Sequence, residues 1–323
     1  MPKKITDEVF INLYIGMDYA DVTGLRGGKL LISVPDEYLD DIDEIRRECS
    51  TILHEYKKEE FSIARRLPSN EKMLFRVTAF ENTSGGLVFT IRRPPARVLE
   101  FDELGFGSEL VGFLTKPELR GVVGFVGEMS SGKTTAAAST VHGRLKALGG
   151  LAMAIEDPPE TNLDGVHGDG RCIGVEVRSS EGGYRAATKK AMRTGADIIY
   201  LGEVRDEDAA AEVVMGGNNG HLIISTWHAA SHEDAVKRLN ALCGSAVKDA
   251  QSMLATGLAA IVHLRMEERM VSTLNGKKPV KHLAYELLEV RGHQEVENII
   301  RNGSFHMLKS AMETQKAARR SSF

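Results

Sequence analysis

Gly127-Glu128-Met129-Ser130-Ser131-Gly132-Lys133-Thr134 spells G-x-x-x-x-G-K-[ST], the phosphate-binding P-loop pattern, and each position has a chemical reason. Small residues let backbone N–H groups turn inward around a β-phosphate, and the N-terminus of a following helix adds partial positive charge. Lys133 would reach the β- and γ-oxygens and Thr134 would hold Mg²⁺, so we count Gly127 through Thr135 as nucleotide-binding residues. The expected ligand is a nucleoside triphosphate.

More chemistry-bearing residues fall just past apolar runs. Leu151 to Ile155 delivers Glu156 and Asp157, then Pro158-Pro159-Glu160; Ile198 to Leu201 delivers Gly202-Glu203, then Arg205-Asp206; Leu222 to Thr226 delivers Trp227-His228. In an open α/β sheet ligands bind beyond the carboxyl ends of strands, so these residues are expected to converge with Lys133 and Thr134 on one rim. For phosphoryl transfer the set suffices: a cation on the γ-phosphate, a carboxylate near Mg²⁺ and a carboxylate to orient or deprotonate water. Each also has a plainer role. Glu203 could be a solvated strand end, Glu156 or Asp157 a helix cap, and His228 a satisfied core histidine.

The elements that position these residues follow from periodicity. Val122 to Val126 is an apolar, β-branched run of strand length; after the loop, Ala137, Val141, Leu145 and Leu148 fall at helical spacing until Gly149-Gly150. With Leu151 to Ile155, Ile198 to Leu201 and Leu222 to Thr226 as strands, residues 121–323 read as a β-helix-β alternation with a parallel sheet covered on both faces. The last hundred residues are expected to be helical, with Ser231 and Asp234 as a capping box before Ala235, Leu239 and Leu242. Lys316 to Phe323 reads as a disordered tail.

Residues 1–93 read as a separate α+β unit. Phe10, Leu13, Tyr14 and Met17 predict a first helix. Two short strands follow around Asp21-Val22-Thr23 and Leu30 to Val34. Pro35 and Asp36 open a long helix whose buried side is Leu39, Ile42, Ile45, Cys49, Ile52, Leu53 and Tyr56. Phe61 to Leu67, Met73 to Phe80 and Leu87 to Arg93 complete it as strands, the last two forming a hairpin. Pro94-Pro95 marks the boundary, and residues 94–120 read as a connector with an amphipathic piece at Leu110 to Leu114.

Composition narrows the function classes. The chain has 323 residues, 41 Lys plus Arg against 45 Asp plus Glu, and a net charge of -4, which gives no general reason to expect nucleic acid or an anionic membrane as partner. No apolar run reaches the roughly 18 residues of a membrane span, and Asp7, Glu8 and Asn12 spoil a signal-peptide reading, so a cytoplasmic chain is expected. Cys49, Cys172 and Cys243 are too few and too far apart for a disulfide framework or a zinc cluster.

Four segments, in order, resemble the secretion-ATPase family that contains the PilT, GspE and DotB motors, most closely its PilT/DotB branch. They are the P-loop; Ile155-Glu156-Asp157-Pro158-Pro159-Glu160, similar to the family's aspartate box; Ile199-Tyr200-Leu201-Gly202-Glu203-Val204-Arg205-Asp206, similar to its Walker B segment; and Gly220-His221-Leu222-Ile223-Ile224-Ser225-Thr226-Trp227-His228-Ala229, similar to its histidine box. Leu74-Phe75-Arg76-Val77 and Gly86 to Arg93 resemble the last strands of the family's PAS-like N-terminal domain, and Glu297 to Gly303 resembles PilT's C-terminal segment. The resemblance covers roughly residues 70 to 315.

It implies a RecA-like P-loop ATPase domain behind a smaller PAS-like α+β domain, with ATP and Mg²⁺ as ligands. Thr134 and Glu203 would manage Mg²⁺ and Glu156 would polarise the attacking water, the reverse division of the two glutamates staying open. His228 would sense the γ-phosphate, and Arg76 with Arg92 would reach a neighbouring subunit's nucleotide. The implied assembly is a homohexamer that converts hydrolysis into domain rotation, docked peripherally on inner-membrane platform proteins of a pilus, conjugation or effector-secretion machine, without direct nucleic acid or a metal cluster. Two departures stand out. Lys189 and Arg193 stand where the family often has a pair of arginines, and the cysteine quartet of the assembly branches is missing. The alternatives are a small-molecule P-loop kinase and a RecA-like nucleic-acid-binding protein.

Overall fold

Along Lys72–Glu81, Met73, Phe75, Val77 and Ala79 are buried and the residues between them are not, the period of two that a half-covered strand requires. The computed structural model describes residues 3–69, 72–94, 97–177, 181–244, 246–273 and 276–320, with side chains 271–279 excepted. The chain divides into two units, Met1–Arg97 with Asp157–Asn162, and Val98–Glu156 with Leu163–Phe323. Pro95 and Ala96 of the expected junction and residues 321–323 of the expected tail lie outside the described residues.

The first unit contains β1 (Asn12–Ile15), β2 (Ala20–Thr23), β3 (Leu31–Ser33), α1 (Leu39–Tyr56), β4 (Glu60–Arg66), β5 (Lys72–Glu81) and β6 (Leu87–Arg92). Its strands form one antiparallel sheet in the order β3-β2-β1-β6-β5-β4. Ile42, Ile45 and Cys49 of α1 share a core with Leu13, Ile15, Phe61, Ile63, Phe75 and Phe89. The helix expected from Phe10, Leu13, Tyr14 and Met17 is not formed. Residues 12–15 are β1, with Leu13 and Ile15 buried and Met17 exposed. Pairing with β2 on one side and β6 on the other satisfies this backbone twice, and that tertiary gain overrides a four-residue helical pattern. Leu39 and Tyr56, expected on the buried side of α1, are exposed at its two ends.

The second unit runs α2 (Ser108–Leu114), β7 (Gly121–Gly127), α3 (Lys133–Leu148), β8 (Gly150–Glu156), β9 (Gly165–His167), β10 (Gly170–Glu176), α4 (Gly183–Ala191), β11 (Ile198–Leu201), α5 (Glu207–Asn218), β12 (Leu222–His228), α6 (His232–Cys243), α7 (Ala250–Gly257), β13 (Leu258–Thr273), β14 (Gly276–Glu289), α8 (Gln294–Arg301) and α9 (Leu308–Arg320). The sheet order is β14-β13-β7-β12-β11-β8-β10-β9, parallel from β13 to β10 with an antiparallel strand at each edge. Because β7 is buried on both faces, its residues alternate between two cores. Val123 and Phe125 pack with Ala136, Ala137 and Val141 of α3, while Val122 and Val126 pack with Val213, Val214 and Val236 of α5 and α6.

Three stretches differ from the sequence reading. The C-terminal part is not simply helical, since β13 and β14 form a long hairpin that extends the sheet beside the P-loop strand. The continuous apolar run Leu258 to Val262 is what a strand covered on both faces needs, and periodicity cannot separate such a run from a buried helix. Short strands β9 and β10, between the acidic segment and α4, were not anticipated. The expected tail is helical through Arg320 in α9, where Arg319 pairs with Glu109 and Glu289 and donates to the Leu287 carbonyl.

Candidate functional site

The P-loop begins where β7 ends. A Cβ added at Gly127 would lie 2.3 Å from the Leu264 carbonyl oxygen of β13, so only glycine fits there. Ser130 (φ 61) and Gly132 (φ 88) take left-handed backbone, which turns the loop so that α3 starts at Lys133. Gly132 caps α3 without any side-chain hydrogen bond, and the buried Ser131 hydroxyl has no hydrogen-bond partner. Orphan N–H groups and an unsatisfied hydroxyl at one helix start are what bound phosphate oxygens would fill. Thr134 and Thr135 are half-buried in the first turn of α3, whereas Glu128, Met129 and Ser130 are exposed.

Sheet order brings the other residues in. β12 lies between β7 and β11, and its register sets His228 beside Gly127. The Ala229 N–H also donates to the Gly127 carbonyl at 3.4 Å. β8 lies beyond β11, with Leu201 level with Ile155 and Ser225. Gly202 therefore sits against Glu156, whose Cγ is 3.2 Å from where a Gly202 Cβ would be.

Lys133 is 7% exposed, its ammonium donating to the Glu128 carbonyl at 2.6 Å and lying 3.4 Å from His228 Nδ1. Burial lowers its pKa, and the Glu203 carboxylate opposes that shift. An ammonium only donates, so His228 Nδ1 is assigned as the acceptor and the ring proton to Nε2, which faces Glu203 Oε1 at 3.2 Å. The neutral ring agrees with its electrostatics: burial first, and Lys133 second, push His228 below the usual histidine value. Glu203 Oε2 accepts from Arg205 Nε at 2.6 Å. Lys133, His228, Glu203 and Arg205 thus form one connected series at the carboxyl edge of the sheet.

Glu156 ends β8 at 5% exposure, and the parallel register sets Glu176 of β10 directly beside it. The residues after Glu156 belong to the first unit, where Lys58 pairs with Asp157 at 2.7 Å, the Ser62 hydroxyl donates to the Pro159 carbonyl at 3.1 Å, and Arg76 pairs with Glu160. Arg76 also pairs with Glu60 at 3.2 Å, and Arg92 lies directly opposite Arg76 in the β5–β6 ladder, exposed. Lys189 and Arg193 are exposed on and just after α4. From the same helix Arg185 approaches the buried Glu212 at 3.5 Å, whose carboxyl is raised chiefly by burial. Among the described residues no three His, Cys, Asp or Glu stand as a metal cage, and no helix is long and apolar enough to cross a membrane. All three cysteines are buried and free.

Sequence reasoning left two members of this edge without a role. The sequence places Arg205 on the rim, inside the Walker B-like segment, but names no contact for it. Glu176 ends β10, a strand whose short apolar stretch Cys172, Ile173 and Val175 was a usable signal.

Residues 50–320 match the family described as type II/IV secretion system protein. Among curated relatives, the type IV pilus retraction ATPase PilT of Pseudomonas aeruginosa is 28% identical over 244 residues, 74% of this chain and 66% of that protein. A twitching motility protein of Neisseria gonorrhoeae is 27% identical over 76% of this chain and 62% of its own length, so the chain spans about two thirds of these relatives. Two solved structures share the fold. The pilus retraction motor PilT with bound ADP has a TM-score of 0.72 at 20% identity, covering 96% of this chain and 87% of that one. The ATPase DotB of Legionella pneumophila gives 0.71 at 14%, covering 96% and 88%. The mixed α/β second unit is therefore of the expected RecA-like class, preceded by an N-terminal domain.

Proposed function

Because this chain belongs to the type II/IV secretion system protein family, we propose that it is an ATPase that powers a type IV pilus or type IV secretion machine. The observation that carries the reading is the series Lys133, His228 and Glu203, which stands at the carboxyl edge of the sheet beside an uncapped helix start and a partnerless Ser131 hydroxyl. In this reading the backbone from Gly127 to Gly132 encloses the β-phosphate, and Lys133 exchanges the Glu128 carbonyl and His228 for β- and γ-oxygens. Thr134 and Glu203 would hold Mg²⁺, which would supply neutralising charge for the transferred group. Glu156, buried at the adjacent strand end, orients and deprotonates the attacking water, and His228 senses the γ-phosphate through its neutral ring.

The finer reading is a cytoplasmic homohexamer, docked peripherally on inner-membrane platform proteins, that serves pilus, conjugation or effector-secretion machinery. Arg76 and Arg92 would act on the nucleotide of the next subunit. The test is phosphate release from Mg·ATP by the purified chain, with and without single-stranded DNA and without any acceptor. Lys133→Ala should slow release by at least about 10–100-fold while leaving the fold intact, because a charge-assisted hydrogen bond of roughly 1.5–3 kcal/mol is lost from the reacting phosphoryl group. Glu203→Gln and Glu156→Gln should each bind ATP yet turn it over about 10²–10⁴-fold more slowly. Release by Lys133→Ala at the parental rate refutes the assignment of the loop.

A further inference from the structure

We propose that Arg205 is a positioning residue that holds the Glu203 carboxylate in its working orientation; the inference rests on the nucleotide-site reading above and adds a residue which that reading leaves out. A glutamate's terminal torsion is broad, so one contact leaves the carboxylate free to turn. Here both oxygens are engaged from different elements: Oε1 faces His228 Nε2 at 3.2 Å from β12, and Oε2 accepts from Arg205 Nε at 2.6 Å. The stretch that carries both Glu203 and Arg205 is itself anchored. Thr226 Oγ1 donates to the Gly202 carbonyl at 2.7 Å, and the Val204 N–H donates to the Thr226 carbonyl at 2.8 Å. Val204 is buried at 2% exposure, and Asp206 caps α5 by accepting from the Ala209 N–H at 2.8 Å.

The two contacts differ in what disturbs them. His228 is tied through Nδ1 to Lys133, so a phosphate that draws Lys133 away loosens the His228 side. Arg205 holds the other oxygen, Oε2, and keeps the carboxylate aimed while the His228 contact shifts. The Arg205 side chain is 49% exposed, and exposed ion pairs add little to stability. A strong effect of its removal would therefore be on turnover and not on folding.

The experiment is a double-mutant cycle on the full chain, with phosphate release from Mg·ATP as one readout and equilibrium binding of ATP as the other. Arg205→Ala should lower kcat about 10–100-fold, the size typical for partners that orient a ligating side chain, with ATP affinity and thermal midpoint near the parent. Arg205→Lys, which keeps the charge, should fall between, and guanidinium ion added at millimolar concentration should return part of the lost rate to Arg205→Ala. In the Glu203→Gln background, removing Arg205 should cost nothing further, because its effect passes through the carboxylate. Parental kcat in Arg205→Ala, or the same fold loss with and without the Glu203 carboxylate, overturns the proposal and leaves the nucleotide-site reading standing. Parental turnover in Glu203→Gln removes Glu203 from the mechanism and overturns this inference, whereas the nucleotide-site reading falls with parental release by Lys133→Ala.

Discussion

Ser130 carries a strain that its neighbours do not relieve. It is a non-glycine residue at φ 61, exposed, at the tip of the loop. Left-handed backbone costs a non-glycine residue of order 1–3 kcal/mol, against which glycine loses about 0.5–1 kcal/mol of chain entropy. Ser130→Gly is therefore expected to raise stability by about 1 kcal/mol, read as a higher urea midpoint. An unchanged or lower midpoint would mean that the Ser130 conformation costs the protein nothing. Lys133 is the opposite case, a buried cation whose desolvation is partly offset by the Glu203 carboxylate and not by backbone geometry.

Among the elements, the seam of α6 with β13 and β14 has a titratable group at its centre. His232 begins α6, is 4% exposed, donates from Nε2 to the Glu286 carbonyl at 3.1 Å and lies 5.7 Å from the His263 ring. Burial pushes its pKa down to about 4 from the ordinary 6.5. The folded state thus stays neutral where the unfolded chain takes up a proton, so the unfolded state binds more protons between about pH 6.5 and 4. Stability contributed by this group is present above pH 6.5 and is lost as the pH falls through that window, by at most about 3 kcal/mol. Urea titrations of the parent at pH 7 and 4.5 should show a fall that His232→Gln partly removes; an identical fall in the variant would exclude His232 as a source of acid sensitivity.

For the whole molecule, the proposed ring predicts that subunits share sites. Arg76 is held by Glu60 and Glu160 in its own chain, and such partly exposed pairs are worth about 0–1 kcal/mol, so a neighbour's γ-phosphate can compete for it. Arginine delivered in trans is worth about 10³–10⁵ in rate. A chain carrying Arg76→Ala and Arg92→Ala, and a separate Lys133→Ala chain, should each be nearly inactive, and mixed rings should recover activity at interfaces that pair an intact P-loop with intact arginines. Mixed rings that stay inactive would rule out the trans arginines, and a fully active monomer at micromolar concentration would rule out the ring.

The sequence by itself determined the chemistry of the nucleotide edge. The P-loop spacing named Lys133 and Thr134, and three apolar runs ending in Glu156, Glu203 and His228 marked strands whose carboxyl ends share one rim, because a helix between successive strands returns the chain to run parallel. Tertiary structure decided which strands are neighbours. Nothing local says that β12 lies between β7 and β11, and it is this order that sets His228 between Lys133 and Glu203. It also decided the strand at residues 12–15 and the hairpin of β13 and β14, where pairing partners far along the chain satisfy the backbone and override ambiguous apolar runs. The commitment of Arg76 to Glu160, 84 residues away, was illegible for the same reason: a salt bridge between distant segments leaves no periodic trace in either one.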